Sequence, residues 1–242
     1  MALKWTPALA AYFGLTALAS PLMLSRSQRN IAPNRHSERS GIPTIPIKAG
    51  LTWVSAASVG ELRAVLPLLP ALGPTLLTTQ TATAADLAET QGLLHQFTPI
   101  DTPAATTSFL RNWQPRAAVF VESEVPPRMI TRLASQGIPT ALIGARASKT
   151  RAKAPKSMAN ILSQLAVITA STPAVTDELT SLGLSVTATE DLKAALPTEP
   201  VPQAKLNKWT EVQQRPIWLA ASTHPGDETV VLKAHQQVLE HQ

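Results

Sequence analysis

From Leu51 onward the chain alternates short, unbroken apolar runs with stretches whose apolar residues recur at helical spacing. Leu51–Ser55, Thr75–Thr79, Ala117–Val121, Thr140–Ile143 and Ala166–Thr169 lack the polar alternation of a half-solvated strand. Each therefore predicts a strand covered on both faces. Glu61–Leu72, Ala84–Leu94, Ala104–Trp113, Arg128–Gln136 and Arg151–Leu165 predict the intervening helices. Strands covered on both faces and separated by helices pair in parallel, which gives an α/β fold with a doubly wound parallel sheet over residues 51–195. Ligands of such a sheet are expected at the carboxyl ends of its strands.

The flanks read differently. Trp5–Leu24 contains no charge and approaches the ~20 apolar residues that cross a bilayer. Pro7, Gly14, Pro21 and the hydroxyls of Thr6, Thr16 and Ser20 dilute its hydrophobicity. A spanning anchor, an interfacial helix and a cleaved signal peptide thus stay open for residues 1–29. If the segment spans, Arg26, Arg29, Arg35 and Arg39 behind it place the body on the cytoplasmic face of the membrane, against anionic headgroups. Residues 30–50, with Pro33, Pro43 and Pro46, predict a linker of extended character. Pro197, Pro200 and Pro202 mark a second linker over 196–215, before a strand-like run, Pro216–Ala221, and a helix from about Gly226. One strand and one helix cannot bury a core, so residues 216–242 read as the truncated start of a second α/β domain.

Composition narrows the chemistry. With no cysteine and five scattered histidines, neither a disulfide framework nor a metal site is expected, and no cofactor is implied. The formal charge of +5 would suit nucleic acid only with stacking aromatics, and these are 4% of the chain, so a membrane surface is the expected anionic partner.

Polar clusters stand where the strands end. Trp53–Glu61 is a strand, a small-residue turn containing Ser58 and Gly60, and a helix opening on Glu61. An acid there can serve chemistry or only complement the helix dipole. Thr78–Thr83 offers four hydroxyls to a sugar or phosphate, with Thr83 as the alternative N-cap of the next helix. Glu122-Ser123-Glu124 puts two carboxylates at the end of a central strand, and alternation sends both to one side, away from Ser123. Gly144–Arg151, followed by Lys153 and Lys156, has an anion-binding composition that would equally suit a basic helix face on a membrane. Ser222, Thr223 and His224 lead from the last strand-like run into a helix opening with Asp227 and Glu228.

Together these segments resemble the 3-deoxy-D-manno-octulosonic acid (Kdo) transferases of lipopolysaccharide synthesis. The resemblance follows Ala56–Glu61, Thr78–Thr83, Pro99–Pro103, Glu122–Glu124, Arg146–Ser148 and Ala221–Gly226 in order. It implies the Rossmann-like, acceptor-binding half of a GT-B glycosyltransferase, with CMP-Kdo as donor and a lipid A precursor (lipid IVA) as acceptor. Glu61 is implied as the general base, and Glu122 or Glu124 as a second acidic contact to a sugar. Ser58, Gly60, Thr79, Thr81, Arg146, Ser148, Ser222, Thr223 and His224 are implied around the substrates. The chain departs from the family pattern at Pro126-Pro127-Arg128, Gly144, Ala84 and Glu190-Asp191-Leu192-Lys193. The family continues well beyond Glu228 with a donor domain. A noncatalytic membrane-associated protein that binds lipid A precursors, half of a split enzyme whose donor domain is a separate chain, and another nucleotide-sugar transferase on the same scaffold are the alternatives.

Overall fold

The computed structural model describes residues 4–122, 124–194, 201–212 and 217–240, which fall into two compact units, 1–196 and 197–242. The first unit is built on a seven-stranded, wholly parallel sheet. Its elements run α1 (Pro7–Leu18), α2 (Ser20–Gln28), β1 (Thr52–Ser55), α3 (Val59–Val65), β2 (Thr75–Thr79), α4 (Ala82–Thr90), β3 (His95–Phe97), α5 (Pro103–Trp113), β4 (Ala117–Val121), α6 (Pro127–Ser135), β5 (Thr140–Ala145), α7 (Lys149–Lys153), α8 (Pro155–Leu162), β6 (Val167–Ala170), α9 (Pro173–Ser181) and β7 (Ala188–Thr189). The strand order is β3-β2-β1-β4-β5-β6-β7. From β1 the chain winds outward to β3, then returns to β4 and winds the other way, so the topological switch point lies between β1 and β4.

All five expected strands are present, and β3 and β7 join them at the two edges. Prolines set several helix starts: Pro7, Pro103, Pro127, Pro155 and Pro173 occupy first turns, where a missing N–H costs nothing. They also break the longer expected helices. Beyond Val65 the chain tightens into a 3-10 helix, Leu66–Leu72, which contains Pro67 and Pro70, and the helix expected over Arg151–Leu165 divides at Ala154, before Pro155.

The core covers both faces of the sheet. On one face Trp53 packs against Phe109, tilted, and Phe120, edge-on, at centroid distances of 4.6 and 5.1 Å, with its indole N–H donated to Thr78 Oγ1 at 2.9 Å. Trp113 likewise buries its ring and donates to Gln96 Oε1 at 2.7 Å. Burying an indole is favourable only when that donor is matched. On the other face Val54, Leu62, Val65, Leu77 and Val121 form a second cluster.

The N-terminal segment is broken into two helices, which together have the length and composition of a bent span. Helices α1 and α2 meet at an angle of 70°, and no single helix among the described residues is long and apolar enough to cross a membrane. Leu9 and Thr16 are buried against the first unit, while Trp5, Leu15, Leu18 and Leu22 are exposed. Nor are residues 30–50 an extended linker, since Pro33–Ser40 forms a 3-10 helix with Glu38 and Arg39 buried. Glu38 accepts from Arg35 at 2.9 Å, from the Phe97 amide at 2.6 Å and from the Thr44 hydroxyl, contacts that local sequence does not announce. Arg35 and Arg39 are thereby withdrawn from the basic flank, which leaves Arg26 and Arg29 exposed.

The second unit contributes α10 (Gln203–Val212) and α11 (Asp227–Glu240). Pro216 lies outside the described residues, and Ile217–Ala221 forms no strand, because a strand needs a neighbouring ladder and the described residues of this unit supply none.

Candidate functional site

The carboxyl ends of β1 and β4 bring Glu61, Glu122 and Glu124 around one cavity of about 220 Å³, with Arg146, Ser148 and Arg151 on its wall. Glu61 is held by a cap. Ser58, in extended conformation, accepts from the Glu61 amide at 3.3 Å, and the Glu61 carboxylate reaches back to the Ala57 amide at 2.7 Å. This is a capping box displaced by one residue, which satisfies the Glu61 N–H in the first turn of α3 and the Ala57 N–H just before its cap. The dipole role and a chemical role thus coincide on one carboxylate, which is fixed in place and retains further acceptor capacity. Gly60 borders Lys193, whose Cε and Nζ lie 3.5 Å from where a Cβ would stand.

Glu122 does not continue the alternation of β4. Its backbone turns left-handed at φ 53°, and Ser123 lies outside the described residues. The side chain, 5% exposed, is clamped by Arg146 through Nε at 2.8 Å and Nη2 at 3.3 Å, and by Lys193 Nζ at 2.9 Å. Arg146 also meets Asp191 at 3.2 Å. Two acids and two bases therefore balance, which offsets the cost of holding Glu122 away from water. Gly144 permits this packing: its φ is 64°, and a Cβ would come within 2.9 Å of Leu192 Cδ1. The unusual residues at 144 and 190–193 are consequently neighbours in space, joined through Glu122 and Arg146.

Glu124 is exposed and accepts from Ser148 Oγ at 2.5 Å and from the Thr150 amide at 3.2 Å. Partial burial pushes its pKa up, but these hydrogen bonds outweigh that and hold the carboxyl below its usual range. Ser148 also caps α7 by accepting from the Arg151 amide at 2.9 Å. Arg151 is not part of an exposed basic face. It is buried against Glu178 at 2.6 and 2.8 Å, a pairing that lowers the Glu178 pKa.

Glu124 is shared with a second cavity of about 860 Å³ that runs past the ends of β1, β2, β3 and β4. Thr81 lines it and is the N-cap of α4, accepting from the Ala84 amide at 3.3 Å, so the cap falls two residues before Thr83. Thr79 is absent from both cavity walls. It is fully buried, and its hydroxyl meets His95 Nε2 at 2.9 Å. Strand alternation turned it inward.

Two wall residues, Tyr12 and Asp101, carry structure that the sequence patterns did not disclose. Asp101 accepts from the Arg128 and Met129 amides at 2.9 Å each, capping α6 from a distant loop where Pro126 cannot, and from the Tyr12 hydroxyl at 2.8 Å. Burial raises its pKa despite those bonds. Arg128 completes the junction, reaching the Phe13 carbonyl at 2.6 Å and Thr16 Oγ1 at 2.9 Å. The available signal was Asp101 itself, an acid between a strand-sized run and a Thr-Pro helix start.

Ser222, Thr223 and His224 belong to the second unit and are exposed. The backbone amide of Glu228 itself, then the Thr223 side chain and the Gly226 amide, lower the Glu228 pKa, and the His224 amide donates to Asp227 at 2.9 Å. Within that unit these contacts cap α11.

Residues 34–196 match the family described as 3-deoxy-D-manno-octulosonic-acid transferase (kdotransferase). The chain is 29% identical over 255 residues to the 3-deoxy-D-manno-octulosonic acid transferase of Haemophilus influenzae, covering 96% of this chain and 57% of that one. It is 32% identical over 223 residues to the Bordetella pertussis protein of the same name, covering 84% and 51%. The probable mitochondrial transferase of Arabidopsis thaliana is 28% identical over 235 residues, covering 86% and 52%. The chain thus spans about half the length of the curated relatives it matches.

Proposed function

Because the chain belongs to the 3-deoxy-D-manno-octulosonic acid (Kdo) transferase family, we propose that its first unit is the acceptor-binding half of a GT-B glycosyltransferase. In this reading Kdo passes from CMP-Kdo to a lipid A precursor, lipid IVA, during lipopolysaccharide synthesis. An acceptor hydroxyl oxygen attacks the anomeric carbon of Kdo, the bond from that carbon to the phosphate oxygen breaks, and CMP leaves with the electron pair. Glu61 takes the hydroxyl proton, and single displacement inverts the anomeric configuration. Arg146 and Lys193 hold the Glu122 side chain in place on the wall of the same cavity.

The observation that carries this reading is the seating of Glu61. It is fixed by the Ala57 amide at the mouth of the sheet, beside the β1–β4 switch point where α/β sheets bind ligands. The larger cavity next to it, lined partly by α1 and α2, suits an acceptor that arrives from a membrane surface. Exposed Trp5, Leu15, Leu18 and Leu22 would rest on the cytoplasmic face of the inner membrane.

A second reading, a noncatalytic lipid A precursor-binding protein or half of a split enzyme, draws on the saturation of Glu122 and Glu124 by protein partners. CMP release from CMP-Kdo by the purified chain, with lipid IVA in detergent micelles, separates the two. Acceptor-dependent release that falls by about a hundredfold or more in Glu61→Gln supports the transferase. A folded chain that binds lipid IVA and releases no CMP supports the second reading.

A further inference from the structure

Arg39 is a buried cation that neighbours Glu38 and lies over the Phe97 ring at 5.1 Å, with no salt bridge of its own among the described residues. Only 6% of it is exposed, and no carboxylate among the described residues lies within ion-pair range of its guanidinium. Glu38 beside it is committed to Arg35, Thr44 and the Phe97 amide. Two of its nitrogens donate to backbone carbonyls, Nη1 to Thr98 at 2.8 Å and Nη2 to Gln80 at 2.6 Å, while the buried Nε has no acceptor. Such an arrangement is costly unless an anion completes it. Burial depresses its pKa to about 10, and the Glu38 charge offsets that only in part.

Arg39 lines the larger cavity where α4 begins, since the carbonyl it holds belongs to Gln80, next to the Thr81 cap. Thr81 satisfies the Ala84 amide, and Ala85 donates to the Thr81 carbonyl. The amides of Ala82 and Thr83 find no acceptor among the described residues. Both residues line the same cavity, as does Arg26. Another stretch of the wall is apolar, formed by Leu9, Met23 and Met158.

We propose that this wall is a subsite for the phosphate headgroup of an amphiphile, seated on Arg39 and the first amides of α4, with its alkyl part along Leu9, Met23 and Met158. A phosphate offers three strong acceptor oxygens to donors that converge from a guanidinium and a helix start. The proposal deepens the lipid-acceptor reading and rests on it, yet it concerns binding and requires neither Glu61 nor turnover.

The test is calorimetric titration of the full chain with dodecyl phosphate below its micellar concentration, alongside dodecyl glucoside and inorganic phosphate. Two substitutions probe the site. Arg39→Gln removes the cation. Ala82→Pro removes one free N–H at the first helical position, which accepts proline, behind a Thr81 already extended at φ −110° and ψ 148°.

Dodecyl phosphate should bind more tightly than either control, lose about tenfold in Arg39→Gln and about threefold in Ala82→Pro, while dodecyl glucoside is unchanged. If Arg39→Gln does not fold, Ala82→Pro decides. Undiminished binding in the folded variants, no binding by the unsubstituted chain, or equal affinity for inorganic phosphate overturns the proposal. CMP release could fail while dodecyl phosphate binding obeys these expectations, so the subsite and the transferase reading fall separately.

Discussion

The Tyr12 hydroxyl donates at 2.8 Å to Asp101 Oδ2 across 89 residues of sequence, and the same carboxylate caps α6 through the Arg128 and Met129 amides. One side chain therefore fastens the N-terminal helix to the sheet edge and begins another helix. The larger cavity owes part of its wall to this junction, since Ala8, Leu9 and Tyr12 all line it.

The junction can be divided by substitution. Tyr12→Phe removes one hydrogen bond and leaves the cap, so it should cost about 1 kcal/mol in urea denaturation. Asp101→Ala removes the cap as well and strands the Tyr12 hydroxyl, at about 2–3 kcal/mol. Equal losses would show that the two contacts act as one.

His95 should make stability depend on pH. It is buried, with Nε2 against Thr79 at 2.9 Å and Nδ1 against Arg35 at 2.9 Å. Because Arg35 can only donate, the neutral ring carries its proton on Nε2. Burial, reinforced by the Arg35 and Arg39 charges, lowers its pKa from 6.5 to about 3. The unfolded chain takes up a proton as pH falls through 6.5 and the folded chain does not, so the stability His95 contributes is lost on acidification across that window. Unfolding free energy should drop by about 1 kcal/mol from this group between pH 7.5 and 5.5. In His95→Gln that slope should flatten.

The cluster around Glu122 should respond unevenly. Lys193→Met leaves Glu122 gripped by Arg146 at 2.8 and 3.3 Å and should cost under about 1 kcal/mol, because Lys193 is 40% exposed. Glu122→Gln leaves both cations without their shared acid and should cost about 2 kcal/mol. A double-mutant cycle checks the coupling, and additivity of the two substitutions would mean that the ion pair contributes nothing.

The proposed membrane contact rests on α1 and α2, where Leu18 and Leu22 are 84% and 53% exposed. Leu18→Glu with Leu22→Glu should leave the fold unchanged and lower binding to phosphatidylglycerol-containing vesicles by about tenfold or more. Unchanged partition in a sedimentation assay would remove these helices from the membrane contact.

The parallel α/β sheet was legible in the sequence, because apolar runs and helical spacing report locally which faces of an element are covered. So were the polar clusters at the ends of β1, β2, β4 and β5, since each simply follows its strand. The two edge strands were not legible. His95–Phe97 and Ala188–Thr189 are too short to show a period, and they exist because a neighbouring edge offers hydrogen bonds.

Partnership was likewise settled only by tertiary structure. A sequence can show that Arg39, Thr79, Asp101 and Arg151 are polar, but not that all four are turned away from open solvent. Arg39 meets Thr98 across 59 residues, and Lys193 meets Glu122 across 71. The reason is that periodicity describes an element's relation to its own faces, whereas a buried charge is governed by whatever the winding of the sheet places opposite it. Glu61 joins the two levels: its helix-opening position is local, and its place beside Glu122 and Glu124 depends on β1 and β4 being neighbours.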